Sequence, residues 1–268
     1  MKKNNIKAVA FDMDGTLLTD AKEVSLRTRR SFEALEDKGI SLILSTGRSF
    51  EALEPYKKDL NLNHPIICYN GAQIIGKSGK IIKNHPVPNN FSKYLIDFAR
   101  KNRVHIQIYK DGKLYFEKRT PEAEFYENHV SLKGEVVNFN NFDSLEITKL
   151  MYLGDHQYLS GLEAQLKEQF GSEMSIMFSN PMFLEFMDGS VSKGHALYEV
   201  AEHLGINISN IMAFGDGDND RSMIEAAGIG VAMENATPGV KAVANEVTLS
   251  NNDDGVAEFL EEFFSLGV

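Results

Sequence analysis

The sequence predicts an α/β fold with a doubly wound, mainly parallel core sheet and an inserted α+β domain. In the first and last parts of the chain, short apolar runs alternate with amphipathic segments of helical spacing, which is the pattern of parallel α/β units. In the middle part, strand-like runs are separated by short turn signals, which is typical of antiparallel pairing. With 268 residues, 43% of them hydrophobic, the chain is long enough for both parts to bury a core.

The first part of the chain alternates strands with helices. Strands are predicted at residues 8–11, 40–44 and 66–69, helices at 24–38 and 49–60, and a hairpin at 73–82. Ser25 can cap the first helix and Gly39 can end it. Parallel strands joined by helices place their carboxyl ends along one edge of a sheet, where α/β proteins bind ligands.

A cluster rich in proline and asparagine at residues 85–90 marks the start of the predicted insert. We predict a core made of residues 1–84 and 189–268, with residues 85–188 as the inserted domain. Within the insert, helices are predicted at 91–102, 121–128 and 157–170, and strands at 104–109, 113–117, 149–153, 175–178 and 183–187. Asp111 and Gly112 form a strong two-residue hairpin signal. Residues 132–145 show no clear pattern.

The alternation of strands and helices returns after residue 188. Helices are predicted at residues 193–204, 222–227, 236–244 and 253–264, and strands at 211–214, 228–233 and 247–249. The two halves of the core are therefore separated in sequence by the whole insert.

Composition excludes several classes of function. The net charge of −10 argues against a nucleic-acid partner, because phosphate backbones need a basic surface. Cys68 is the only cysteine, so we expect a buried thiol and no intrachain disulfide. No apolar run approaches the ~18 residues of a membrane span, and the N-terminus lacks the apolar stretch of a signal peptide. These features predict a soluble cytoplasmic protein that binds neither membrane nor nucleic acid.

The motif Asp-Met-Asp-Gly-Thr at residues 12–16 directly follows the first predicted strand. Two carboxylates this close repel each other unless a cation or a proton lies between them, and Mg²⁺ prefers such oxygen ligands. A polar turn is the alternative, since Asp, Gly and Thr are ordinary turn residues. An EF-hand is excluded, because its sixth position would be Leu17 rather than glycine and a strand precedes the motif.

Three further strand ends carry polar or glycine-rich tips. Thr46-Gly47-Arg48 follows the second strand, residues 70–72 (Asn-Gly-Ala) follow the third, and residues 215–220 (Gly-Asp-Gly-Asp-Asn-Asp) follow the strand at 211–214. The last tip is a second cluster of carboxylates after a buried strand. A solvated acidic turn could explain one such cluster, but a shared divalent cation explains both.

Lys193 begins a predicted helix, where the helix dipole disfavours a cation. Its position makes sense if it points at an anion, although a surface lysine is the ordinary alternative. The chain contains no Gly-x-x-x-x-Gly-Lys-Ser/Thr motif, and no Gly-x-Gly-x-x-Gly follows the first strand. Nucleotide P-loop and dinucleotide-binding sites are therefore not supported.

Taken together, these four motifs make the chain resemble a haloacid dehalogenase (HAD) superfamily phosphatase of the Cof-type branch. Residues 12–17 match the first motif, Thr46 the second, Lys193 the third and residues 215–220 the fourth, in order and over essentially the full length. The resemblance implies a Rossmann-like core, with the insert as a large α/β cap that closes over the site.

The resemblance also implies the roles of individual residues and a Mg²⁺ cofactor. Asp12 would be the nucleophile and a metal ligand, and Asp14 the general acid/base, with its backbone carbonyl on the metal. Asp216 would bind the metal directly and Asp220 through a water. The phosphoryl oxygens would be bound by Met13, Thr46, Gly47, Lys193 and Asn219. Asp218 is interpreted as a turn residue.

The expected substrate is a small phosphorylated metabolite, most simply a sugar phosphate. Pyridoxal phosphate, flavin mononucleotide and nucleotides are alternatives, as are a phosphomutase acting through the same Asp12 intermediate and a non-catalytic binding protein. Arg48 could lie at the mouth of the site or form a surface salt bridge. Polar and aromatic candidates in the insert are His105, Gln107, Tyr109, Tyr115, His129 and Asn180. The sequence gives no prediction of oligomeric state.

Overall fold

The computed structural model describes residues 5–56, 60, 64–130 and 132–267. The chain divides into two compact units. Unit 1 comprises Met1–Arg48, Leu53–Lys83 and Ser192–Val268, and unit 2 comprises Ser49–Ala52 and Asn84–Val191. The assignment of residues 85–188 as a cap stays a prediction.

The strands are β1 Ala8–Asp12, β2 Ser41–Ser45, β3 Ile66–Cys68, β4 Gln73–Ile75, β5 Ile81–Asn84, β6 His105–Lys110, β7 Lys113–Phe116, β8 Glu135–Val136, β9 Lys149–Leu153, β10 Met174–Asn180, β11 Phe183–Asp188, β12 Ile211–Gly215, β13 Ile229–Ala232 and β14 Glu246–Val247. The α-helices are α1 Leu26–Asp37, α2 Asn89–Asn102, α3 Pro121–Val130, α4 His156–Phe170, α5 Lys193–Leu204, α6 Arg221–Ala226, α7 Pro238–Lys241 and α8 Gly255–Phe264.

Unit 1 is built on an eight-stranded sheet in the order β14-β13-β12-β1-β2-β3-β4-β5. The strands from β14 to β3 are parallel, and β4 runs antiparallel to β3. The chain moves from β1 to β2 in one direction and, after the insert, continues on the other side of β1 with β12. The predicted α/β fold with a mainly parallel core sheet is confirmed. β1 and β12 therefore flank the point where strand order reverses, which is where such sheets bind ligands.

Helices cover the face of this sheet that carries two phenylalanines. Phe11 of β1 and Phe214 of β12 stack with ring centroids 5.5 Å apart. Phe32 of α1 lies 4.8 Å from Phe11, and Phe259 of α8 lies 5.6 Å from Phe214, centroid to centroid. Ser25 caps α1 by accepting a hydrogen bond from the Thr28 amide. This apolar layer holds β1 and β12 side by side, and so fixes the loops that follow them.

Two predicted helices of the core differ from the structure in the described residues. Within the predicted helix at 49–60, the structure has a 3₁₀ helix at Glu51–Tyr56 and an α-helical Leu60, and residues 57–59 lie outside the described part. Pro55 lies inside this segment and has no amide hydrogen to donate, which disfavours a regular α-helix. The helix predicted at 236–244 is limited to the single turn of α7, which contains Gly239 and the β-branched Val240.

Unit 2 is built on a six-stranded sheet in the order β10-β11-β9-β6-β7-β8. Its pairs are antiparallel except for β7 with β8. Asp111 and Gly112 join β6 to β7 with φ values of 51° and 76°, as the hairpin signal predicted. The unassigned stretch at 132–145 contains β8 and a 3₁₀ turn at Phe139–Asn141. Among the described helices, none is long and apolar enough to cross a bilayer.

Candidate active site

The end of β1 and the loop after β12 bring three aspartates together. Asp12 is the last residue of β1, while Asp216 and Asp220 lie in the loop that follows β12. One carboxylate oxygen from each of the three lies within 4.8 Å of the others. The loops that follow β1 and β12 are also in close contact, because a Cβ added to Gly15 would lie 2.3 Å from Asp216 Oδ2. Gly15 also has φ +86°, a backbone conformation that glycine adopts readily and other residues rarely adopt. A residue with a side chain would in addition have to displace Asp216.

Lys193, at the start of α5, reaches into this cluster. Its side chain is fully buried, and its Nζ donates to Asp12 Oδ1, to Asp220 Oδ1 at 2.6 Å and to the Ser45 carbonyl at 3.1 Å. Burial alone would lower the pKa of Lys193, but the attraction of the two carboxylates outweighs it and raises the pKa. The lysine is therefore charged, and it neutralises only part of the negative charge of three aspartates.

Burial and the remaining negative charge raise the pKa values of two of the aspartates. Burial and the neighbouring Asp220 raise the pKa of Asp12 well above its usual value, against the pull of Lys193. Burial likewise raises the pKa of Asp216 to about 6, and the nearby Asp220 adds to this effect. Clustered carboxyl oxygens with too little positive charge are the donor set that a hard divalent cation prefers. Asp12, Asp216 and Asp220 could therefore hold a metal ion.

The loop that carries Asp216 is folded around the Asp220 side chain. Asp220 Oδ2 accepts hydrogen bonds from the backbone amides of Asp216 at 3.0 Å and Gly217 at 2.9 Å. Thr16 donates to Asp216 Oδ1 at 2.7 Å, which ties the first motif to the fourth. Outside the cluster, Thr237 donates to Asp218 Oδ1 at 2.6 Å, so Asp218 serves the turn.

The Asp14 side chain is paired with two cations. Arg48 binds both carboxylate oxygens at 2.7 Å, and Lys22 donates to Oδ1 at 3.0 Å. Burial would raise the pKa of Asp14, but Arg48 and then Lys22 outweigh it and hold the pKa below its usual range. The Arg48 guanidinium also lies 5.3 Å from the centre of the Tyr56 ring.

The predicted phosphoryl-binding residues lie around the ends of β1, β2 and β12. Met13 and Thr46 are buried, and the Thr46 hydroxyl accepts a hydrogen bond from the Arg48 amide at 3.1 Å. Asn219 donates through Nδ2 to Asn70 Oδ1 at 3.0 Å. Gly47 adjoins Asn70, because a Cβ on Gly47 would lie 3.1 Å from Asn70 Oδ1.

Three contributors to the site were not assigned from the sequence. Thr16 and Asn70 stood within recognised strand-end tips, but nothing in their type distinguished them from turn residues. The ion pair between Arg48 and Asp14 joins residues in the loops that follow two different strands. The position of both at strand ends was the available signal, and the pairing itself required the register of β1 with β2.

Comparison with known proteins agrees with this geometry. The family model of haloacid dehalogenase-like hydrolases matches residues 9–260. The chain belongs to that family.

Solved structures show how far the similarity extends for this HAD-like hydrolase. A crystal structure from Thermotoga maritima is 34% identical, covers 96% of this chain and 97% of its own, and superposes with a TM-score of 0.89. A HAD subclass IIB sugar phosphatase of known structure is 25% identical, covers 97% of this chain and 100% of its own, and superposes with a TM-score of 0.82.

Another relative is named for a substrate other than a sugar phosphate. The HMP-PP phosphatase of Yersinia pestis is 27% identical over 97% of this chain and 96% of its own length. The HAD-like hydrolase described here is thus a phosphatase that acts on phosphate monoesters. Phosphatases of this family generally use a metal ion, and the three clustered aspartates fit that requirement.

Proposed function

We propose that the chain is a Mg²⁺-dependent phosphatase of small phosphate monoesters that works through an aspartyl-phosphate on Asp12. The observation that carries this proposal is the contact of the charged, buried Lys193 with Asp12 beside two further aspartates. A phosphate monoester is a dianion that a carboxylate repels, so attack requires local positive charge. Lys193 supplies one such charge directly at the attacking group.

Asp12 is suited to the role of nucleophile by its hydrogen bonding. Lys193 holds Oδ1, and Oδ2 receives no hydrogen bond from the described residues. Oδ2 forms the new bond to phosphorus while the bond from phosphorus to the ester oxygen breaks. The covalent intermediate divides one difficult displacement into two easier ones. The backbone amides of Met13 and Gly47, with Thr46, Lys193 and Asn219, bind the phosphoryl oxygens in this proposal.

Asp14 completes the proton transfers. In its protonated form it gives a proton to the leaving alkoxide in the first step, and the carboxylate so formed takes a proton from the attacking water in the second. Asp12, Asp216, the Asp14 carbonyl and, through water, Asp220 would hold a metal ion, which would neutralise phosphoryl charge when bound. Mg²⁺ is the proposed ion because all of these ligands are oxygens.

Sugar phosphates are the proposed substrate class. One relative of known structure is a sugar phosphatase, and this supports the choice. The relative named as an HMP-PP phosphatase shows that substrates differ within the family. A screen of phosphorylated metabolites with Mg²⁺ would identify the ester that gives the highest kcat/KM.

The proposal predicts that Asp12→Asn abolishes turnover of p-nitrophenyl phosphate in Mg²⁺ while the protein stays folded. The amide cannot attack phosphorus as a carboxylate does, so we expect a loss of at least about 10⁴-fold. Initial rates and circular dichroism are the measurements. Asp37→Asn is the matched control, because Asp37 is exposed at the end of α1. Appreciable turnover by Asp12→Asn at saturating Mg²⁺ would refute the nucleophile assignment.

A further inference from the structure

The tip that follows β3 has a strained backbone that the proposed mechanism does not use. Tyr69, Asn70 and Gly71 have φ values of 50°, 54° and 111° in succession. A bulky residue such as Tyr69 in the left-handed region costs about 1–3 kcal/mol and persists only where its surroundings demand it. Such strain concentrates at functional sites, so the contacts of this tip are informative.

The tip contacts the loops of the other motifs. The Asn70 amide donates to the Thr46 carbonyl at 3.0 Å, and the Tyr69 amide donates to the Arg48 carbonyl at 3.0 Å. Gly71 packs against the residue before Lys193, because a Cβ on Gly71 would lie 2.5 Å from the Ser192 carbonyl oxygen. The backbone therefore places the Asn70 side chain at a fixed point among these loops.

The Asn70 side chain is buried between two predicted phosphoryl-binding residues. It is 7% exposed, and its Oδ1 accepts the hydrogen bond from Asn219. A Cβ on Gly47 would lie 3.3 Å from Asn70 Nδ2. Among the described residues, none accepts a hydrogen bond from Nδ2. Nδ2 is not among the described side-chain atoms that are fully buried without a partner, so a ligand or water can still reach it and accept its hydrogen bond.

We propose that Asn70 is a phosphoryl-binding residue, whose Nδ2 donates to a phosphoryl oxygen while its Oδ1 positions Asn219. This inference rests on the proposed function, and it adds a neutral donor to the charged Lys193 at the same group. Asparagine suits the position because it tolerates the left-handed backbone and carries both a donor and an acceptor. The third strand tip thereby becomes part of the active site rather than a connecting turn.

The test is Asn70→Asp, which separates ligand binding from structure. Aspartate also tolerates the left-handed region, and its carboxylate still accepts the hydrogen bond from Asn219. It removes the donor and places a negative charge beside the phosphoryl group. With p-nitrophenyl phosphate and Mg²⁺, we expect kcat/KM to fall at least about 100-fold and the inhibition constant of inorganic phosphate to rise at least about 10-fold.

Asn207→Asp is the matched control, because Asn207 is an exposed cap of a 3₁₀ turn in the same unit. It should leave both constants unchanged. If Asn70→Asp has the wild-type inhibition constant for phosphate, Asn70 is only structural and the inference is wrong. Should that variant not fold, Asn70→Gly keeps the backbone conformation, and an unchanged inhibition constant there overturns the inference equally.

The two proposals can fail separately. If the wild-type protein hydrolyses no phosphate ester with Mg²⁺, the proposed function is wrong. Calorimetric titration of inorganic phosphate then still tests Asn70, since weaker binding by Asn70→Asp than by Asn207→Asp supports the contact and equal binding refutes it. If the wild-type protein is active and Asn70→Asp matches it, only the inference about Asn70 fails.

Discussion

The aspartates of this site occupy two opposite electrostatic environments. Asp12 and Asp216 lie in a cluster of acids whose burial and mutual repulsion raise their pKa values. Asp14 is only two residues from Asp12, yet Arg48 and Lys22 hold its pKa low despite burial. Environments that push the pKa values of neighbouring acids apart commonly distinguish their chemical roles. The ionised form of Asp14 suits the second step of the proposed mechanism, in which a water loses its proton.

We predict that the loss of kcat/KM caused by Asp14→Asn depends on the leaving group of the ester. General acid catalysis contributes about 10²–10⁴-fold, and it matters most where the departing alkoxide is a strong base. We therefore expect kcat/KM to fall by about 10²-fold or more for an alkyl phosphate and far less for p-nitrophenyl phosphate. Equal losses for the two esters would count against the proton-transfer role.

Arg48→Met provides the companion measurement for the same prediction. Arg48 lowers the pKa of Asp14, so its removal raises that pKa. The limb of the pH–rate profile that reports Asp14 should accordingly move to higher pH, because more alkali is then needed to ionise the acid. Lys38→Met is the control, since Lys38 is an exposed residue at the end of α1. An unmoved limb would show that the ion pair does not govern the titration of Asp14.

The loop after β1 is held by two asparagine side chains that are distant from it in sequence. Asn235 Nδ2 donates to the Gly15 carbonyl at 2.8 Å, and its Oδ1 accepts from the Asn251 amide at 3.1 Å. Asn251 Nδ2 in turn donates to the Leu18 carbonyl at 2.9 Å. The turn before α8 thus fixes the segment that carries Asp14.

We predict that Asn251→Ala slows turnover without directly touching the site. It leaves the buried Leu18 carbonyl without its donor, which costs about 1–3 kcal/mol of unfolding free energy. Looser placement of the loop should lower kcat about 10-fold while KM changes less. Urea unfolding and initial rates are the measurements. Asn252→Ala, whose contacts with Asp20 are exposed, should change neither quantity appreciably. Identical behaviour of the two variants would contradict a role for Asn251 in positioning the loop.

The elements show what sequence patterns can and cannot predict. β1, α1 and α5 have strong local signals, namely an apolar run, a capping serine and a closing glycine, and each appears within about two residues of its predicted bounds. The segment at Glu51–Tyr56 was misjudged because Pro55 acts against its helical spacing. The pairing of Arg48 with Asp14 and of Asn70 with Asn219 depends on which strands are neighbours. Local patterns do not contain that information.

For the molecule as a whole, we predict that metal binding and folding are linked. A ligand at 100 times its dissociation constant stabilises the native state by about 2.7 kcal/mol, and relief of repulsion among the clustered acids is the physical source here. Adding Mg²⁺ after chelation should raise the thermal midpoint by several degrees. Asp216→Asn should lose most of this increase, whereas Asp253→Asn, at an exposed position, should retain it. Equal increases in all three proteins would place the ion elsewhere.

Strand β12 lies beside β1 although about 200 residues separate them along the chain, because the insert intervenes. A ribosome therefore finishes the strand of Asp12, the proposed nucleophile, long before it reaches Lys193 and the acids that follow. Until then one edge of β1 has no neighbour and Asp12 has no cation to compensate its charge. On the proposed mechanism, the site is therefore complete only once the last third of the polypeptide is made, and a chain halted within the insert would carry Asp12 without the groups that it needs to attack phosphorus.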